Sequence, residues 1–292
     1  MSLISGFEDV VKENQPLAPY TRLKLGGVAA YFAQPQTLEQ LVGLVKRFTE
    51  NDLPVRLIGA GSNTLIRNQG VGGLVVSLSA PVFSNIEIND DTITAGGSVS
   101  LVDFVATAVR EGLNGPQHLV GIPGTIGGAL HNNTSAVGFD IGTWVKSVDV
   151  LTRSGERITY QKDELSFSYR QSSLKDLIVL SATFAFDREE SQTLTKQMQK
   201  LWIVRRAAQP ASDLRSAYVF KDHGGDTASD LIDQAGLKGT RVGNVEICDS
   251  DPNYFIANDD ATAEDFLKLI ELVKTQVHDQ LEINLETSIG VW

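Results

Sequence analysis

Two glycine-rich stretches offer the clearest chemistry in this chain of 292 residues. The longer, Gly121–Asn133 (GIPGTIGGALHNN), packs four glycines and a proline into its first nine residues. Glycine adopts positive φ freely and lets another group approach the main chain closely. Such a run can turn several backbone N–H groups toward one anion, as phosphate-cradling loops do. It can equally be a tight turn between buried segments, and its spacing alone leaves both readings open. The shorter stretch, Gly59-Ala60-Gly61-Ser62-Asn63-Thr64, follows an expected buried strand, Val55–Ile58, and carries hydroxyl and amide side chains. A turn leaving a strand in this way suits a ligand site at the strand's carboxyl end. It lacks the G-x-G-x-x-G spacing, which disfavours a Rossmann-type nicotinamide site.

The remaining reactive side chains are sparse. His118, His131, His223 and His278 share no metal-ligand spacing with one another or with Cys248, so no metal site is expected. A single cysteine excludes an internal disulfide and implies no oxidising compartment. The net charge of −11 provides no basic field for nucleic acid. An anionic ligand would therefore need local backbone and a few placed Arg or Lys residues. The N-terminus has no signal-peptide pattern and no window reaches 18 apolar residues, so the chain is expected to be cytoplasmic, with no membrane partner.

The elements that must carry these residues read as α+β. Residues 1–20 suggest a short amphipathic helix on Leu3, Phe7, Val10 and Val11. Thr37 and Gln40 suit a capping box, and Leu38, Leu41, Val42, Val45 and Phe48 recur at helical spacing. With strands at Ala29–Ala33 and Val55–Ile58 this predicts a βαβ unit with parallel strands. Residues 81–99 predict a hairpin around Asn89-Asp90-Asp91, and Ser100 with Asp103 opens a helix closing at Gly112. A second hairpin turns at Arg153-Ser154-Gly155, Ile178–Phe186 reads as a strand, and helices are expected over 190–206 and Ala263–Val277. Between those helices the chain is loop-rich and polar, which suggests a domain boundary. Several small sheets are expected rather than one doubly wound sheet.

Seven segments together resemble the UDP-N-acetylenolpyruvoylglucosamine reductase family: TRLKLGG (21–27), LIGAGSNTLI (57–66), GLVVSL (73–78), GIPGTIGGAL (121–130), FSYRQSSLK (167–175), QAGLKGTRVG (234–243) and 253–277. They fall in the family's order over nearly the whole chain, and the shorter subfamily is the nearer match. The resemblance implies an FAD-binding module of the PCMH/VAO type, made of α+β subdomains at 1–79 and 80–203, and a C-terminal α+β substrate domain at 204–292. It implies FAD as cofactor, NADPH as hydride donor and a UDP-sugar as the small-molecule partner of a monomer. The FAD-lining residues would be Gly59, Ala60, Gly61, Ser62, Asn63, Thr64, Gly121, Ile122, Pro123, Gly124, Thr125, Gly127, Gly128, Ala129 and Asn133, acting mainly through backbone N–H groups around the pyrophosphate. At the position after Asn133, Thr134 and Ser135 replace the family's Ala-Gly.

Three side chains carry the family's reduction, and two of them depart here. Arg170, in Ser168-Tyr169-Arg170, matches the arginine that stabilises negative charge. Val219-Phe220-Lys221 fixes the register that puts Tyr218 at the proton-donating serine. Leu285-Glu286-Thr287-Ser288 puts Ser288 at the glutamate. Tyr169, Lys221 and Asp222 are expected at the substrate, with Asp222 replacing an asparagine. A phenol, with an ordinary pKa of about 10, is an accepted general acid. It is also much larger than a serine hydroxyl. The resemblance therefore implies an FAD-dependent oxidoreductase of peptidoglycan precursor synthesis. It leaves open a flavin-binding homologue that is impaired in this reaction or has been repurposed.

Overall fold

The computed structural model describes residues 3–136, 138–211 and 213–292. Six α-helices alternate with short strands among the described residues: α1 Leu38–Glu50, α2 Leu101–Arg110, α3 Ile126–His131, α4 Ser191–Ala208, α5 Ala228–Gln234 and α6 Ala263–Leu281. The α+β expectation is met. The chain forms two compact units. One comprises Met1–Asn14, Ala30–Ala60 and Gly72–Val204, and the other Gln15–Ala29, Gly61–Val71 and Arg205–Trp292. Two early segments thus group with the C-terminal residues, an arrangement that division in sequence order does not express.

In the first unit α1 begins at Thr37, whose Oγ1 accepts the N–H of Gln40 at 3.3 Å. The reciprocal half of the expected capping box does not form, because Gln40 Oε1 accepts from the N–H of Gln36 instead. Leu41, Leu44, Val45 and Phe48 make the buried stripe of α1 and pack against Val55, Leu74 and Val76. They cover a four-stranded sheet in the order Val11–Pro16, Val28–Ala33, Val71–Val76, Val55–Leu57. The parallel partner of Val55–Leu57 is Val71–Val76, with Val55 opposite Leu74. Val28–Ala33 lies on the far side of that partner, so the expected βαβ strands are not neighbours.

The N-terminal helix expected at 1–20 is replaced, among the described residues, by turns, the strand Val11–Pro16 and a short 3₁₀ turn at Ala18–Tyr20. Leu3, Phe7, Val10 and Val11 are nonetheless packed into the cluster around α1. Successive turns such as Val10 N–H to Phe7 O (3.0 Å) bring them there, and Gln34 N–H bonds Val10 O at 2.9 Å. Their spacing records burial, and it is met without a helix.

The second sheet of this unit has five antiparallel strands in the order Arg157–Gln161, Val145–Leu151, Ile178–Ala185, Thr92–Gly96, Ile86–Asn89. Both expected hairpins are present. α2 starts at Ser100, whose Oγ accepts Asp103 N–H at 3.0 Å, and packs Phe104 against Phe184 with ring centroids 4.9 Å apart.

The second unit is built on a four-stranded sheet in the order Ser216–Tyr218, Tyr254–Ala257, Val245–Ile247, Arg241–Val242. α6 opens with a complete capping box, in which Thr262 Oγ1 accepts Asp265 N–H and Asp265 Oδ2 accepts Thr262 N–H. Phe266, Leu269, Ile270, Val273 and Val277 are buried, each worth about 1.5–3 kcal/mol on the apolar scale. The helix continues past the expected end at Val277 to Leu281. α5 lies inside the segment read as loop; seven residues with one apolar pair, Leu231-Ile232, gave too little periodicity to be seen.

Candidate active site

A cleft of about 250 Å³ opens in the first unit. Leu57, Ile58, Leu78 and Val179 give it apolar walls, and Ser77, Ser79, Ser98 and Thr125 give it hydroxyls. Gly59, Ala60, Gly97, Gly127, Gly128 and His131 complete the lining. The carboxyl end of a parallel strand builds the first wall: beyond Leu57, Ile58 N–H bonds Val76 O at 2.9 Å and the chain turns at Gly59. The opposite wall is the glycine-rich stretch, and it is not a loop throughout. From Ile126 to His131 it is the short helix α3, capped by Thr125 Oγ1 on Gly128 N–H at 3.3 Å.

Close packing explains the glycines. A Cβ on Gly97 would stand 2.1 Å from Val179 O, one on Gly127 3.0 Å from Gly97 O, and one on Gly59 2.6 Å from Thr125 Oγ1. Gly128 is different, since its Cβ would meet only Thr125 Oγ1 at 3.5 Å, an ordinary contact. The N–H groups at the start of α3, part of the stretch expected to face an anion, close onto the protein itself. Ile126 N–H bonds Val99 O at 2.9 Å, Gly127 N–H bonds Gly97 O at 2.8 Å, and Gly128 N–H takes the Thr125 cap. Gly121, Ile122, Pro123 and Gly124 lie outside the cleft lining. There Ile122 N–H bonds Leu119 O and Gly124 O accepts Leu101 N–H. Ala129 is buried.

His131, at the end of α3, is held neutral. Burial lowers its pKa first, the neighbouring Arg153 lowers it further, and the hydrogen bond to Leu177 O and the charge of Asp176 oppose this. Its Nε2 lies 2.9 Å from Leu177 O, and a carbonyl only accepts, so that nitrogen carries the proton.

The same stretch anchors the arginine. Asn133, buried and at φ +41°, donates Nδ2 to Ser168 O at 2.9 Å and accepts Gly142 N–H on Oδ1 at 3.1 Å. Ser172 Oγ donates to His131 O at 3.1 Å. These bonds fix the hairpin Phe167–Ser168/Gln171–Ser172, at whose turn Arg170 stands with φ +56°. Its guanidinium lies 5.7 Å from the centroid of the exposed Tyr169 ring. Asn133, expected at the cofactor, thus spends its amide holding the hairpin that bears Arg170.

In the second unit the glycine turn continues as Gly61–Thr64. Gly61 has φ +60° and its Cβ would stand 2.1 Å from Tyr20 O, so only glycine fits. Asn63 Nδ2 donates to Ser288 O at 3.0 Å, and Thr64–Leu65 pairs in parallel with Gly290–Val291. The C-terminal segment also lies against the residues after Ser216–Tyr218. Ser288 N–H bonds Val219 O at 2.7 Å, and Lys221 N–H bonds Glu286 O at 2.9 Å. Tyr218 and Ser288 are therefore brought together about Val219, although 69 residues separate Val219 from Ser288 along the chain. The Lys221 ammonium lies 3.0 Å from Glu286 Oε2. Tyr218 Oη donates to Asp222 Oδ1 at 3.4 Å, and that oxygen also accepts Ala228 N–H at 2.9 Å.

Some of the site was not foreseen. Ser77, Ser79, Ser98, Gly97 and Val179 line the cleft, and only the Gly96-Gly97 pair closing a hairpin strand hinted at it. Asn253, fully buried, bonds both Phe220 N–H (2.8 Å) and Phe220 O (2.9 Å), and Asn253 O accepts Val219 N–H. It braces the strand end that carries Tyr218.

Two family models match the chain: an FAD binding domain over residues 29–161 and the UDP-N-acetylenolpyruvoylglucosamine reductase C-terminal domain over residues 209–292. The UDP-N-acetylenolpyruvoylglucosamine reductase of Rhodopirellula baltica is 42% identical over 283 residues, spanning 97% of this chain and 93% of that protein. That of Lactobacillus acidophilus is 38% identical, spanning 96% and 94%. The crystal structure of the Thermus caldophilus reductase superposes with a TM-score of 0.81 at 30% identity, covering 97% and 98% of the two chains.

Proposed function

Because the chain belongs to the UDP-N-acetylenolpyruvoylglucosamine reductase family, we propose that it is an FAD-dependent reductase of the enolpyruvyl UDP-sugar in peptidoglycan precursor synthesis, driven by NADPH. The reading adds that it works as a cytoplasmic monomer. Segments 1–79 and 80–203 would form the FAD module, and 204–292 the substrate domain with residues 15–29 and 61–71 grouped beside it.

The cleft in the first unit fits part of such a cofactor. Its walls are apolar with hydroxyls between them, and the bare Gly128 surface leaves room for close approach. Gly59, Ala60, Thr125, Gly127 and Gly128 would hold FAD there, with Ser77, Ser79 and Ser98. The N–H groups at the start of α3 are engaged internally, so the hydroxyls of Ser77, Ser79, Ser98 and Thr125 would carry the polar contacts in the cleft. When bound, FAD would supply the hydride that NADPH delivers.

The chain's own residues would do the rest. The Arg170 guanidinium would face the carboxylate and the developing enolate. Tyr218 Oη holds a proton beside Asp222 and would give it to the carbon next to the carboxylate. Lys221, anchored by Glu286, would present one cation to the diphosphate. The observation supporting the reading is that Ser288 N–H bonds the carbonyl of Val219, next in chain to Tyr218, two positions that the resemblance assigns to the donor and the glutamate. Ser288 offers no carboxylate, and this favours the second reading, a flavin-binding homologue that has lost the standard reaction.

Stopped-flow observation of the flavin band separates the two. NADPH added first should bleach it, and the enolpyruvyl sugar nucleotide added next should restore it at a turnover rate. Bleaching without restoration selects the second reading, and no bleaching by NADPH overturns the first.

A further inference from the structure

A phenol in the donor position needs something a serine does not. Its hydroxyl sits at the far end of a ring that swings about two side-chain torsions, so its aim depends on what touches that ring. Tyr218 and Tyr254 are direct partners in the antiparallel pairing of Ser216–Tyr218 with Tyr254–Ala257. Their rings meet edge to face, with centroids 5.4 Å apart and planes at 70°. The next pair, Ala217 opposite Phe255, is buried in the core, so by strand alternation the tyrosines stand on the other face.

Tyr254 is itself held. Gln209 hydrogen-bonds its hydroxyl, and Arg22, Arg205 and Asp251 are its charged neighbours. Burial, then Asp251, raises its pKa, so it remains a neutral phenol across the working range. Asp251 is fixed in turn by Ser229 Oγ and by Asn253 N–H at 3.1 Å. On the other side of Tyr218, Asp222 is tied to the start of α5 through Ala228 N–H.

We propose that Tyr254 is a positioning residue for Tyr218: its ring edge fixes the plane of the phenol that protonates the substrate carbon. This rests on the reading of Tyr218 as proton donor. Tyr254 touches Tyr218 rather than the reacting atoms, so its effect is confined to the half-reaction that consumes the proton.

The test uses the FAD-loaded full chain and follows the two half-reactions separately. Tyr254→Leu should slow flavin reoxidation by the enolpyruvyl sugar nucleotide about 30- to 100-fold, the scale of a misplaced reacting group, while reduction by NADPH stays within about twofold. Tyr254→Phe, which keeps the ring, should recover most of the lost rate. In a Tyr218→Ser background Tyr254→Leu should have no further effect, because the ring it positions is gone. Reoxidation of Tyr254→Leu at the wild-type rate would overturn the proposal, as would equal slowing of both half-reactions or full additivity with Tyr218→Ser. If Tyr254→Leu does not fold, Tyr254→Met removes the ring and is read in the same way. Failure of the wild-type chain to reoxidise is a different result, and it overturns the assigned reaction itself.

Discussion

The side-chain amide of Asn63 donates to the main-chain carbonyl of Ser288 at 3.0 Å across 225 residues of sequence. One residue was read from the sequence as a cofactor contact and the other as a catalytic position. In the fold, the amide of the first holds the backbone of the second. Gly290 N–H to Asn63 O at 3.0 Å closes the clamp from the other side.

Replacing Asn63 with Asp should therefore do more than remove a donor, because it sets a carboxylate against a carbonyl. The expected loss is about 1–3 kcal/mol in urea unfolding, with slower flavin reoxidation by substrate. Asn63→Ala should cost less in stability, because no charge is stranded. Equal losses for the two variants would argue against the clamp.

Tyr218→Phe keeps the ring and removes the hydroxyl that would supply the proton, along with its bond to Asp222. Flavin reduction by NADPH should be unaffected, and reoxidation by the enolpyruvyl sugar nucleotide should slow by about 10²–10⁴-fold, the span of a positioned general acid. Single-turnover absorbance at the flavin band measures both steps.

The glycines of the cleft should separate by what stands opposite them. Gly97→Ala places a Cβ 2.1 Å from Val179 O and should impair folding with or without cofactor. Gly128→Ala meets nothing closer than 3.5 Å and removes a helical glycine, so the cofactor-free protein should gain up to about 1 kcal/mol. Its FAD affinity should nevertheless fall at least about tenfold in equilibrium dialysis if the cofactor lies against that surface. Unchanged affinity would move FAD away from α3.

His131 predicts a pH dependence of stability with a definite sign. Its folded pKa lies below the ordinary value of 6.5, chiefly through burial, so the unfolded chain binds the proton more readily. Its contribution is fully present above pH 6.5 and is lost progressively as the pH falls through the folded value. Urea midpoints between pH 7.5 and 5 should therefore fall on acidification. His131→Gln, which can still donate to Leu177 O, should flatten that decline.

Much of the fold was legible because it rests on local patterns. Thr37 and Ser100 capped their helices as read, and the segments 81–99 and 147–160 folded into both expected hairpins. These signals depend on residues only a few positions apart. Where the pattern recorded burial alone, as at Leu3, Phe7, Val10 and Val11, it could not distinguish a helix from turns that bury the same side chains.

The candidate site divides along the same line. Residue types and spacing by themselves marked Gly59–Thr64 and Gly121–Asn133 as tight turns or anion cradles and set Arg170 in a polar segment between strands, while the departures at Tyr218 and Ser288 were read from the resemblance. Only the tertiary structure decided what those residues touch. It engaged the N–H groups of Ile126, Gly127 and Gly128 internally, gave Asn133 to the Arg170 hairpin, and set Asn63 against Ser288 and Tyr254 against Tyr218. The physical reason is range. Backbone preference is set by near neighbours, whereas a hydrogen bond or a ring contact needs a partner that only chain folding brings within a few ångströms.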